Sequence, residues 1–374
     1  ASAEIYVKRR IKAVSDCNRA DDGQLLFLIC KIREERGYSV VQEEEKMKKY
    51  NIVLIRAMAC IAVILYHMNN MMFGIGGTTS SLLAIGGISP YFFFVISGFL
   101  VSVKKDVGDI KTYYVKRILR ICPVYYLVIV YNIFFWGILL NWNWPVDSSG
   151  MYWWRYFLFL STTVSTGEGL WINVNATWTI SAFMFFYLIN PLTHFIKNKS
   201  AKVFAAILVI SVFIQTFYDQ YVYLNAFPSP ISCLPYFLVG MLARIYVDEE
   251  EEKRGCCVFA LFAVVIALIK GANFLVYACL IAIVILCSGQ LKEGTGIFTK
   301  IINWTSDRSY TLYLIHATVF ATFQQFYAMG KINKLIYVLA SIVLALVFTE
   351  LVYRYVEVPA NRLAKKITLK AQRS

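Results

Sequence analysis

From Tyr50 onward the chain is a succession of long apolar runs separated by short polar stretches. About 17–25 mostly apolar residues suffice for a helix to cross a bilayer. Ten windows fit: 51–72, 82–103, 119–140, 177–197, 202–218, 229–247, 256–270, 271–288, 309–329 and 333–355. The seventh and eighth are short and meet at a tight hinge around Lys270-Gly271. The pattern predicts an all-α polytopic membrane bundle of about ten transmembrane helices.

The charges orient this bundle. With the N-terminus inside, the cytoplasmic loops collect Lys104, Lys105, Lys111, Lys116 and Arg117, then Lys197, Lys199 and Lys202, then Arg244, Lys253 and Arg254, then Lys292, Lys300 and Arg308. The long outside loop, about 141–176, carries only Arg155. This follows the positive-inside rule and puts both termini in the cytoplasm.

Composition agrees with that reading: 59% of residues are hydrophobic and 16% charged, against about a quarter charged in soluble domains. The net charge of +14 therefore reads as topology, and nucleic-acid binding is not expected. The nine cysteines show no CxxC spacing and no pairing with histidine, so neither a metal site nor a disulfide framework is expected. Residues 1–49 form a polar N-terminal extension to which the sequence assigns no role. Residues 50–360 are the membrane domain, and 361–374 a basic cytoplasmic tail.

Candidate chemistry lies in the few ionisable groups on apolar segments, which are costly in a bilayer and commonly functional. Arg56 and His67 are eleven residues apart on the first window, about three turns, and project from one side of a helix. The structural alternative is an arginine snorkelling to the interface and a histidine bonded to a neighbouring helix. Arg117 and Arg120 are neighbours on one face of the third segment, at an expected helix N-terminus that also favours anions. They suit a phosphorylated ligand, or else serve as ordinary positive-inside anchors. His316 is expected about two turns into the ninth window with Tyr313 one turn before it on the same face, the alternative being a satisfied structural histidine. His194 reads as interfacial. Glu350 and Arg354 are four apart and read as an internal ion pair, and Ser97-Gly98 as small residues allowing close helix packing.

Seven segments in order carry a resemblance: RAMACIAVILYH at 56–67, FFFVISGFLVS at 92–102, KRILRICPVYY at 116–126, WTISAFMFFYLINPL at 178–192, YFLVGMLAR at 236–244, SYTLYLIH at 309–316 and YRYVEVPANR at 353–362. Together they resemble the membrane-bound acyltransferase 3 family, whose members O-acetylate surface glycans. The resemblance covers about 50–362. It implies a ten-span core in a bacterial cytoplasmic membrane, acetyl-CoA as donor without a metal, and a glycan or lipid-linked sugar as acceptor. On matching positions it implies His67 as the catalytic histidine and Arg56 as its companion. Arg117 and Arg120 match the family's R-x-x-R element for the coenzyme. Beyond the resemblance, Lys116 beside them is a further candidate for the acyl-CoA, and His316, Tyr313 and Trp178 are candidates for the acceptor side. One position departs from the pattern: where many relatives carry a glutamate five residues after the tryptophan, this chain has Phe183.

Imidazole titrates near neutral pH, so His67 can take the proton of an attacking sugar hydroxyl, and Arg56 can stabilise the oxyanion or hold the donor. The sequence does not identify an orienting partner for His67. A glycan transporter or flippase using the buried Arg and His, and an inactive relative, are the competing readings.

Overall fold

The computed structural model describes residues 50–101, 110–135, 146–147, 150–151, 153–163, 176–196, 199–221, 228–271, 273–287 and 294–371. The N-terminal extension and most of the 141–176 loop lie outside the described residues. Helix α1 spans Tyr50–Phe73, its last turn widening to π geometry at Asn69–Phe73. It is followed by α2 (Gly77–Ala84), a 3₁₀ turn (Ile85–Ile88), α3 (Ser89–Leu100) and α4 (Ile110–Asn132). A two-residue antiparallel ladder pairs Val146–Asp147 with Gly150–Met151, ahead of the short α5 (Trp153–Phe157). Then come α6 (Thr177–Ile189), α7 (Ala201–Tyr221), α8 (Pro230–Asp248), α9 (Glu252–Lys270), α10 (Phe274–Cys287), α11 (Ile297–Ala328), α12 (Lys334–Val352) and α13 (Val358–Ala371).

Apart from that ladder the described chain is helical, and each predicted window falls on a helix. Among the described residues five stretches are long and apolar enough to cross a membrane: Tyr50–Phe73, Ile110–Phe135, Ala201–Tyr221, Pro230–Asp248 and Lys334–Thr368. The remaining windows fall on helices that are shorter or more polar. α11 is polar because protein surrounds it. Every residue from Thr311 to Thr322 is buried, so its threonines and its histidine face neighbouring helices instead of lipid. α8 is enclosed in the same way from Tyr236 to Ala243. By contrast Phe213 of α7, Leu261 and Leu268 of α9 and Leu335 of α12 are exposed, as apolar side chains on a lipid-facing surface would be.

Three boundaries correct the sequence reading. α4 already runs from Ile110, so Arg117 and Arg120 lie about two turns or more inside it. The helix dipole acts mainly within the first turn, so it contributes little at these arginines. α11 begins at Ile297, placing His316 about five turns in rather than two. The basic tail continues α12 through a π turn at Tyr353–Glu357 into α13, which packs along α4. The hinge is as expected: Gly271 has φ +70 and ends α9.

Glycines set the closest crossing, between α3 and α8. A Cβ on Gly98 would sit 2.0 Å from the Phe237 carbonyl oxygen, and one on Gly240 would sit 1.9 Å from that of Val95. Lipid offers no hydrophobic drive for helix pairing, so such close packing is what holds the pair. The expected role of Ser97-Gly98 is thus met by Gly98. At the edge of α11, the Glu350 carboxylate accepts from Arg308 Nε at 2.5 Å, Arg308 Nη2 at 3.2 Å and Trp304 Nε1 at 3.1 Å. It also pairs with Arg354, so the expected intrahelical ion pair is part of a larger junction between α11 and α12.

Candidate functional site

Arg56, Cys60, Val63 and His67 follow the i, i+4, i+7, i+11 stripe of one helix face. Cys60 and Val63 are buried, and the Cys60 thiol donates to the Ser309 carbonyl at 3.8 Å. This fixes the stripe of α1 against α11. On α11 the facing stripe is Ser309, Tyr313, His316 and Phe320, with the same spacing. The two stripes bring together groups that lie far apart in the chain.

At one end, Arg56, Arg117 and Arg120 line a single cleft with Ser97, Leu100, Tyr187 and Tyr310. The cleft holds about 820 Å³ of non-atom space. It extends along α3 from Leu100 past Ile96 and Phe93 to Pro90, a rise of about 15 Å. Its lining supplies three guanidiniums and no carboxylate. Arg117 lies over the Tyr187 ring at 4.7 Å, and the Tyr187 hydroxyl shares a 2.7 Å hydrogen bond with Ser97. The Tyr310 hydroxyl donates to the Ile121 carbonyl at 2.6 Å, securing α11 to α4. Beside the arginines, buried Glu357 accepts from Thr311 at 2.5 Å and lies within electrostatic reach of Arg56 and Arg120.

The other end is aromatic. Phe93 and Tyr313 both line the cleft, their ring centroids 6.0 Å apart. Behind Tyr313 the ring of His316 follows at 5.9 Å, and that of His67 at 5.3 Å from His316. His316 is fully buried, and its Nδ1–H donates to the Leu312 carbonyl at 2.9 Å. A carbonyl can only accept, so Nδ1 carries the proton and Nε2 a lone pair. Among the described residues, Nε2 has no hydrogen-bond partner. Arg56 and His67 are separated along α1 by about 16 Å. Arg56 therefore belongs with the other two arginines, and His67 with His316.

The remaining expected residues fall as follows. Lys116 is exposed and does not line the cleft. Trp178 also lies off the cleft, its ring packed near Tyr91 at 6.2 Å and Phe94 at 6.0 Å. Phe183, at the glutamate position, does line the cleft and packs on Phe94 at 4.8 Å. The side chain of His194 lies outside the described residues. Sequence reasoning did not single out Tyr187, Ser97 as a cleft residue, or Glu357. The YRYVEVPANR segment contains Glu357, but only the fold brings it to the arginines.

The acyltransferase domain family (Acyl_transf_3) matches this chain over residues 49–354. Peptidoglycan O-acetyltransferase OatA of Listeria monocytogenes is 30% identical over 152 residues, which make up 37% of this chain and 22% of that protein. The chain thus spans roughly a fifth of the length of that curated relative. No solved structure matches it.

Proposed function

Because this chain belongs to the acyltransferase domain family, we propose that it is an integral membrane O-acyltransferase that moves an acetyl group from cytoplasmic acetyl-CoA to a hydroxyl of a cell-envelope glycan or lipid-linked sugar. Its setting is a bacterial cytoplasmic membrane, crossed by about ten helices with both termini inside. The observation that carries this reading is the single cleft that runs from three guanidiniums to Phe93 and Tyr313, with the rings of His316 and then His67 stacked behind Tyr313.

In this reading the phosphates of the donor bind Arg117, Arg120 and Arg56, since guanidinium forks suit phosphate oxygens. Tyr187 and Tyr310 hold that end in shape. The thioester arm extends along α3 past Ile96 to Phe93 and Tyr313. His67 takes the proton of the acceptor hydroxyl as its oxygen attacks the thioester carbonyl. The C–S bond breaks, and the departing thiolate receives the proton from the imidazolium. His316, fixed in one tautomer by Leu312, packs its ring beside that of His67 and limits how the catalytic imidazole can turn.

The test is transfer from labelled acetyl-CoA to envelope glycans by the purified protein, comparing wild type with His67→Ala. Transfer that depends on His67 supports the reading. Transfer that survives His67→Ala would overturn the catalytic assignment. Glycan movement across vesicles without acetyl transfer would favour the flippase alternative.

A further inference from the structure

A second cavity, on the other side of α3, has no role in the donor cleft. Its lining includes Tyr91, Gln215, Asp219, Tyr236, Asn273 and Phe274, and it holds about 940 Å³ of non-atom space. Tyr91 is the residue after Pro90, which lines the donor cleft. The two cavities therefore flank the first turn of one helix, at the aromatic end of the cleft rather than its arginine end.

The lining divides by chemistry. Tyr91 stands against Tyr236 at 4.5 Å and Phe274 at 4.8 Å between ring centroids. Phe274 is 43% exposed, so it is only partly covered by its neighbours. Around the rings stand a carboxylate and two carboxamides. Asp219 sits in the last turn of α7, where the helix dipole disfavours an anion, and accepts a 2.5 Å hydrogen bond from Ser232 at the start of α8. Ser232, Tyr236 and the Leu275 amide each engage one of these groups. A carboxylate and two carboxamides nonetheless keep further acceptors and N–H donors, which a lipid chain would leave unpaired in a dry site, at a cost. A sugar ring uses both: its C–H face covers an aromatic ring, and its hydroxyls pair with the carboxylate and the amides. Such a mixture of aromatic wall and a few fixed polar groups is typical of small-molecule sites.

We propose that this cavity is a saccharide subsite, which holds a sugar unit of the acceptor adjacent to the unit being acetylated. The assignment rests on the acyltransferase reading for the identity of its ligand as acceptor. Asp219 and the carboxamides of Gln215 and Asn273 take the hydroxyls, and Phe274 with Tyr91 forms the stacking floor.

The experiment uses the purified full chain in detergent with a β-1,4-linked N-acetylglucosamine tetramer and its monomer as probes. Calorimetry measures tetramer and monomer affinity in wild type, Phe274→Ala and Asp219→Asn, and acetyl-CoA affinity in parallel. Phe274 is partly exposed and Asp219→Asn preserves shape, so both variants are expected to fold, which thermal unfolding checks. The expected result is tetramer binding at least tenfold weaker in each variant, with acetyl-CoA affinity unchanged. Equal tetramer affinity in wild type and both folded variants would overturn the subsite, as would a wild type that binds acetyl-CoA but no tetramer. Variant-sensitive tetramer binding by a protein that neither binds nor turns over acetyl-CoA would instead overturn the acyltransferase reading and leave the saccharide site standing.

Discussion

The ring of His67, near the end of the first helix, lies 5.3 Å from that of His316 in the centre of α11. His316 is fixed by its bond to the Leu312 carbonyl, so the pair has one anchored member and one facing member. The anchored ring has a lone pair on Nε2 and no protein partner for it among the described residues. That asymmetry gives the two histidines different roles and different expected losses. His67→Ala should lower kcat by about 10²–10⁴-fold, the usual contribution of a positioned base. His316→Gln should lower kcat by less than His67→Ala, with the KM for acetyl-CoA unchanged in both. Steady-state kinetics in micelles separates the two parameters.

The arginine end makes a separate prediction. Arg117→Ala and Arg120→Ala should each raise the KM for acetyl-CoA roughly 10- to 100-fold, since a hydrogen bond to a charged group contributes about 1.5–3 kcal/mol. Arg56→Ala should do the same, because Arg56 lines the same cleft. Lys116→Ala should change little, within the about 0.5 kcal/mol of an ordinary surface substitution. A KM unchanged in all three arginine variants would return them to the role of topology signals.

The crossing of α3 and α8 predicts an effect on folding rather than on chemistry. Gly240→Ala would force a Cβ to 1.9 Å from a backbone oxygen, and backbone cannot move aside as a side chain can. The expected cost exceeds about 4 kcal/mol, the range reserved for gross packing failures. Gly271→Ala meets open space and should cost only the strain of its positive φ, about 1–3 kcal/mol. Thermal unfolding in micelles ranks the two.

The Glu350 junction predicts a graded series. Arg308 is the more buried partner, with 14% of its side chain exposed against 66% for Arg354. Arg308→Ala should destabilise by about 2–3 kcal/mol, below the about 3–5 of a fully buried pair. Arg354→Ala should cost no more than about 1 kcal/mol. Neither should change donor KM, which distinguishes this junction from the cleft arginines.

The sequence by itself determined that the chain is a helical membrane protein, where its helices lie and which of their residues share a face. Hydropathy and 3.6-residue periodicity are local properties, so Arg56 and His67, or Tyr313 and His316, could be put on common stripes before any fold was known. Helix starts were less legible. Ile110 and Ile297 open α4 and α11 ahead of the apolar windows because polar residues continue a helix as well as apolar ones. The tertiary structure alone decided what each stripe faces. It paired His67 with a histidine 249 residues away, moved Arg56 into the company of Arg117 and Arg120, set Phe183 in the same cleft and brought Glu357 beside the arginines. Those adjacencies follow from how whole helices dock, as where Cys60 meets the Ser309 carbonyl and Tyr310 the Ile121 carbonyl, and such docking depends on both partners at once. No periodicity within a single helix records it.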